Sequence, residues 1–258
     1  MVNERKVLLE EMTWEEIKEA IEHGIDTVLV IAGSIEQHGP HLPIVTDTVL
    51  GYEWGKAIAL KMGNAVVAPV IRPGLSSHHL GFPGTVTLSN YVFQQILKSY
   101  IECLVKTGFR KIIIICSHGG NLQAVKRMLP LLQKKYINRA LVDGVLDIEQ
   151  KDKLVNDFLE ANGYSAKEGG IHAGLTETSC MLALSPDLVR KERIRPGYIG
   201  PINDSVLHQK GLRAYTDNGV LGDPTRASEE LGEAINQITV EFYYNESNRI
   251  ISEKTNTT

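Results

Sequence analysis

Long hydrophobic runs are missing from this chain of 258 residues; aliphatic stretches such as Ile112 to Ile115 are far too short to span a bilayer. An excess of one charge is missing too. Lys and Arg number 27 against 31 Asp and Glu, a net of −4 without long single-sign runs, which argues against a nucleic-acid or membrane partner held by charge. Cysteine is scarce: three residues, an odd number with no CxxC, exclude a disulfide framework. Cys103, Cys116 and Cys180 read as reduced core thiols of a cytosolic, cytoplasmic protein. The opening MVNERKVLLEEMTWEEI is acidic where a secretory signal needs an apolar core, so the sequons at Asn203, Asn245 and Asn256 read as chance. A GxGxxG, a Walker lysine and a GxSxG elbow are all absent, which leaves dinucleotide, P-loop and serine-hydrolase chemistries without a motif.

What is present is an ordinary globular composition, 43% hydrophobic and 22% charged, at a length that buries roughly 70–75% of the unfolded surface without a structural staple. TVLVIAG (27–33), AVVAPVI (65–71), KIIIICS (111–117) and RALVDGVLDI (139–148) read as strands. They are continuously apolar, as parallel strands covered on both faces are. Helical spacings over 47–62, 89–107 and 121–136 separate them, with Gly63 and Gly108 at the C-terminal caps. Further helices are expected over 151–162, 174–183 and about 228–248, ahead of a polar, frayed tail at 251–258. Alternating strands and helices predict an α/β fold with a mostly parallel sheet, as one domain over 1–250. Residues 193–223, rich in Gly and Pro, read as long loops over the sheet. Their apolar residues either cover their own core or reach a neighbouring subunit.

Four segments carry chemistry, each just after a strand or at a helix entrance. The first is GSIEQHGPHLP (33–43) with Thr46-Asp47-Thr48. Residues two apart on extended backbone point the same way, so Glu36 and His38 can face one site. Gly39-Pro40 and Leu42-Pro43 bend the chain and can return Asp47 to it. Two carboxylates and an imidazole suit Zn, Mn or Fe; the bland alternative leaves Glu36 solvated, His38 in a loop and Asp47 as a helix N-cap. The second segment, Cys116 to Asn121, places His118 after a strand, with Gly119 and Gly120 allowing close backbone approach to a ligand. The third, Glu168 to Ser179, holds His172 and Glu177 five residues apart at a helix entrance; the fourth, Ser77 to Thr85, brings His79. Polar residues at the carboxyl ends of parallel strands are disproportionately functional. His23 reads as a surface residue.

Together these segments resemble the creatininase (creatinine amidohydrolase) family: GSIEQHGPHLP…TDT, SHGGN, FPGT, HAGLTETS followed by LALSPDLV, and GVLGDPTRAS, in family order from residue 33 to about 232. The resemblance implies a three-layer α/β/α domain, a homohexamer in several members, and two divalent ions per chain, Zn, Mn or Fe. By position, Glu36, His38, Asp47 and His118 match metal ligands, with Asp47 bridging; His172 matches a histidine that either takes part in the reaction or supports the ligands from behind, and Glu177 the Glu of the ETS motif. His79, Gly119 and Gly120 are expected to line the substrate.

The chain departs from creatininase itself. Where that enzyme has Tyr-Glu after the metal-binding histidine, with the Glu as a ligand, this chain has Gly119-Gly120, and its only tryptophans are Trp14 and Trp54. Creatinine is therefore not the expected substrate. The HGGN form resembles members that deformylate a formamide or mature a peptide, while other relatives act on oxidised inositol-derived sugars. The expected activity is metal-assisted hydrolysis of an amide-type C–N bond in a small cyclic amide or formamide. A metal-dependent isomerase or lactone hydrolase of a cyclic polyol, and a non-catalytic metal-binding scaffold, are the alternatives. Glu177 is expected to replace the missing carboxylate ligand while His172 stays outside the shell as proton donor; the rival is that Glu177 only orients His172.

Overall fold

A computed structural model describes residues 6–255, so the sequon at Asn256 and the end of the expected tail lie outside the described residues. Four parallel strands, β1 (Thr27–Ala32), β2 (Ala65–Val67), β3 (Lys111–Cys116) and β4 (Leu141–Val145), form one sheet in the order β2-β1-β3-β4. β2 is shorter than its apolar run because Pro69 has no N–H for the ladder; Ile71 rejoins β1 by a single bridge to Ala32.

The strands' period of two separates their side chains into two cores. Val28, Val30, Ile112 and Ile114 face one side, where Ile17 and Ile21 of α1 (Trp14–Glu22), Phe93, Leu97 and Ile101 of α3 (Asn90–Thr107) and Val125 and Leu129 of α4 (Leu122–Tyr136) cover them. Leu29, Ile31, Ile113 and Ile115 face the other, under α2 (Thr46–Met62), α5 (Ile148–Ala161), α7 (Leu175–Leu184) and α9 (Glu229–Thr255). Each such fully buried aliphatic side chain is worth about 1.5–3 kcal/mol. The helix signals act as read: Gly63 closes α2 at φ 75°, and the Ser89 hydroxyl accepts from Val92 N–H to start α3.

Three expectations need correction. Cys103 is exposed, since the buried stripe of α3 is Phe93, Leu97, Ile101 and Val105, and residue 103 falls off it. α9 continues to Thr255 through the stretch read as a frayed tail, because Arg249 pairs with Glu246 and Glu253 along the helix and Lys254 pairs with Asp143 of β4. The 193–223 loops contain α8 (Asp204–Lys210), with the short α6 (Ala166–Gly169) upstream. Leu207, Leu212 and Leu221 form a small buried cluster with Phe82, Tyr198, Ile202 and Tyr215, so most of that apolar load covers the chain's own interior. No described helix is long and apolar enough to cross a membrane.

Candidate metal centre

All four strands run the same way, so the segments after β1 and β3 and the turn after Ile71 emerge on one edge. Glu36, His38, Asp47, His79, His118 and His172 are all buried there, although ionisable side chains seldom are. Asp47 lies inside α2, not at its cap: the N-cap is Val45, without a side-chain cap bond. The Asp47 carboxylate instead turns inward, where the Ser34 hydroxyl donates to Oδ2, and the Ser117 hydroxyl donates to the Asp47 carbonyl.

Three histidines direct one ring N–H at a backbone carbonyl, which leaves the other nitrogen to take up a proton or a metal ion. His38 Nδ1 donates to the Glu36 carbonyl at 3.0 Å, His118 Nε2 to the Leu75 carbonyl at 3.1 Å, and His172 Nε2 to the Gln37 carbonyl at 2.7 Å. The freed atoms face carboxylates. His38 Nε2 is 3.6 Å from Asp47 Oδ1 and 3.8 Å from Glu177 Oε2; His118 Nδ1 is 3.4 Å from Asp47 Oδ2; His172 Nδ1 is 3.7 Å from Glu36 Oε1. Asp47 thus presents one oxygen to each of two imidazoles. Glu36 Oε2 and His38 Nε2 are buried with no hydrogen-bond partner, a costly state unless something else satisfies them.

The electrostatics point the same way. Burial pushes the Glu36 carboxyl up to about 7, with His118 pulling it down and Asp47 adding to the rise. Burial opposes charge on His38 and His118, yet the facing carboxylates, chiefly Asp47 for the first and Glu36 for the second, raise them to about 10 and about 9. Burial also works against ionised Asp47, but His38 and His118 hold it well below the usual carboxylate range. The cluster carries more buried negative charge than it can balance without a cation, and protons are drawn to the imidazoles instead. Three donor groups are close enough to hold an ion: Glu36, Asp47 and His118; His38, His172 and Glu177; Glu36, His79 and His172.

Glu177 sits in the first turn of α7, where Oε2 accepts from Ala173 N–H. Ala173 has φ 51°, a left-handed conformation that costs a non-glycine residue free energy and that aims this N–H at the carboxylate. Glu177 accepts from Ala173, not from His172, whose Nε2 is engaged by Gln37. The two glycines after His118 differ. Gly119 has nothing near a would-be Cβ, whereas a Cβ on Gly120 would stand 2.4 Å from both His118 Nε2 and the Leu75 carbonyl. The His118–Leu75 bond therefore requires Gly120, and a Glu side chain at this position would collide with it.

The cluster lines a cleft of about 530 Å³ that also holds Lys151, Asp152, Asn156, His208 and Tyr243. Sequence reading did not single out Ser34, Gln37 or Lys151 for the site. Ser34 and Gln37 stand inside the segment already quoted, but nothing in their spacing says which polar neighbour they meet. Lys151 arrives on α5 only through packing.

The sequence pattern of the family described as creatinine amidohydrolase matches residues 10–244. A mycofactocin precursor peptide peptidase of Mycolicibacterium smegmatis is 33% identical over 218 residues, covering 82% of this chain and 80% of that protein. A 3-dehydro-scyllo-inosose hydrolase of Thermotoga maritima is 31% identical over 192 residues, 72% of this chain and 58% of its own length. The crystal structure of creatinine amidohydrolase (creatininase) matches at a TM-score of 0.79 and 27% identity, covering 95% of this chain and 98% of that one. With the motifs, the parallel sheet and the carboxylate–histidine cluster all in place, the chain belongs to the creatininase family of hydrolases.

Proposed function

We propose that the protein is an amidohydrolase cleaving the C–N bond of a small cyclic amide or formamide at a centre of two divalent ions, Zn, Mn or Fe. The observation that carries this is Asp47, with one oxygen toward His38 and the other toward His118, flanked by the unpartnered Glu36 Oε2 and His38 Nε2. Glu36, Asp47 and His118 would hold one ion, and His38, Asp47 and Glu177 the other; nitrogen and carboxylate donors of this kind suit those metals. Bound divalent ions supply Lewis-acid polarisation of a carbonyl oxygen and lower the pKa of water from about 16 toward about 7.

The chain's own groups do the rest. His172 keeps its Nε2 hydrogen on the Gln37 carbonyl and turns Nδ1 toward Glu36, while burial and the nearby His38 hold it well below the ordinary histidine range. It is therefore neutral at pH 7. Nδ1 can take the proton of the attacking water and return it to the leaving nitrogen, a base before it is an acid. His79 and the open face at Gly119 border the substrate space. Assembly as a cytoplasmic homohexamer belongs to the same reading; the exposed Trp14, Tyr91, Leu131 and Ile137 supply apolar surface for subunit contact.

A second reading, a hydrolase or isomerase of a keto-inositol or related cyclic polyol, is favoured by the similarity to the inosose hydrolase. Screening cyclic amides, formamides and keto-inositols against the metal-loaded protein, with product identification, tests both. A new carboxyl group together with a new amine, free from a formamide (with formate) or tethered in the opened ring of a cyclic amide, supports the first; a ring-opened acid or isomer from a nitrogen-free keto-inositol supports the second. Turnover that survives complete chelation overturns the metal centre.

A further inference from the structure

One buried side chain in the cluster has no part in that scheme: Gln37, between Glu36 and His38. Two backbone groups hold its amide in one orientation. Oε1 accepts from Gly39 N–H at 2.9 Å, and Nε2 donates to the Gly219 carbonyl at 3.2 Å. An N–H cannot accept and a carbonyl cannot donate, so the amide cannot be turned over. Gly219, at φ 82°, makes room for it: a Cβ there would stand 2.0 Å from Gln37 Oε1.

The second hydrogen on Nε2 has two neighbours, His79 Nδ1 at 3.1 Å and His172 Nε2 at 3.0 Å. The His172 atom already points its hydrogen at the Gln37 carbonyl, 2.7 Å away, and has no lone pair to offer. The amide hydrogen therefore goes to His79 Nδ1. An imidazole whose Nδ1 accepts a hydrogen bond carries its own hydrogen on Nε2. That atom lies 3.3 Å from Glu36 Oε1.

We infer that Gln37 is a positioning residue whose amide sets His79 in the Nε2–H form, making it a donor toward Glu36 instead of a metal ligand. The inference rests on the reading of Glu36 as a ligand of the proposed centre. With Oε1 occupied by His79, Glu36 keeps Oε2, the unpartnered atom, for an ion. The group Glu36, His79 and His172 then holds no third ion, because His79 has no lone pair facing it.

Long-range ¹H–¹⁵N correlation spectra of the ¹⁵N-labelled, zinc-loaded protein read the form directly, with His79 assigned by the signals lost in His79→Gln. The expected pattern is Nε2-protonated, in the zinc-loaded and the metal-free protein alike. Gln37→Glu puts only acceptor oxygens against Nδ1, so the hydrogen is expected to move to Nδ1 and zinc retention to weaken roughly 10–100-fold. A wild-type His79 protonated on Nδ1 overturns the inference, as does an unshifted His79 in folded Gln37→Glu. Should that variant not fold, the wild-type spectrum still decides. Failure of Glu36 as a ligand reads out separately, as undiminished zinc content in Glu36→Gln.

Discussion

Asp47 Oδ1 and His38 Nε2 lie 3.6 Å apart, too far for a hydrogen bond, and His38 Nε2 has no other partner. Two donor atoms on one tetrahedral zinc ion, each about 2.0–2.1 Å from it, stand roughly 3.3 Å from one another. The separations between the proposed ligand atoms, 3.6 and 3.8 Å from His38 Nε2 to Asp47 Oδ1 and Glu177 Oε2 and 3.4 Å from His118 Nδ1 to Asp47 Oδ2, fall close to that spacing.

Asp47 faces both ion positions, so Asp47→Ala is expected to remove both tightly held ions after dialysis, measured as metal per chain by mass spectrometry. The same change leaves Ser34 without its acceptor, at a cost of about 1–3 kcal/mol, visible as a lower melting temperature. Retention of two ions would show that Asp47 is not shared.

Glu177→Ala is expected to leave about one tightly held ion, since only the position beside His38 depends on this carboxylate. It also frees the Ala173 N–H, so a modest loss of stability accompanies it. A variant that keeps both ions and loses only turnover removes Glu177 from the ligand set.

In the metal-free protein, protons on His38, up to about 10, and on His118, up to about 9, must leave before either nitrogen can bind a cation. Affinity should therefore rise with pH from 6 toward 9, and calorimetry at pH 7 in buffers of different ionisation enthalpy should detect proton release. Both imidazoles are raised above their unfolded value of 6.5, so their stabilisation of the metal-free fold is complete below that pH and is lost through 9 to 10. Glu36, raised to about 7, acts in the same sense between 4.5 and 7. The chelated protein should melt at a lower temperature at pH 10 than at pH 6. A pH-independent affinity would contradict the charge balance described above.

Gly119→Ala and Gly120→Ala should separate. The first adds a methyl to open space and should leave zinc content and melting temperature nearly unchanged. The second drives a Cβ into His118 and the Leu75 carbonyl, with about 1–3 kcal/mol lost to overpacking and weaker metal retention. Equal behaviour of the two would mean that the His118 ring has another place to go.

Much of this was legible in the order of residues. The strands of continuous β-branched residues, the glycine caps at 63 and 108, and the placing of Glu36, His38 and His118 just after strands follow from local rules. The end of α9 was not legible, because ion pairs at Arg249 and the contact from Lys254 to Asp143 replace the apolar periodicity that marks a helix.

The sequence by itself determined that a parallel sheet would collect carboxylates and imidazoles along one edge, since strand direction and the residues that follow each strand are properties of the chain. Only the tertiary structure decided which atoms face which. Asp47 reads equally well as a helix cap until the Ser34 hydroxyl and the two imidazoles are seen around it. The free nitrogen of each histidine depends on carbonyls of Glu36, Leu75 and Gln37, the last 135 residues from its histidine. Hydrogen-bond direction is a matter of distance and angle between groups that packing brings together, and residue spacing along the chain carries no record of it.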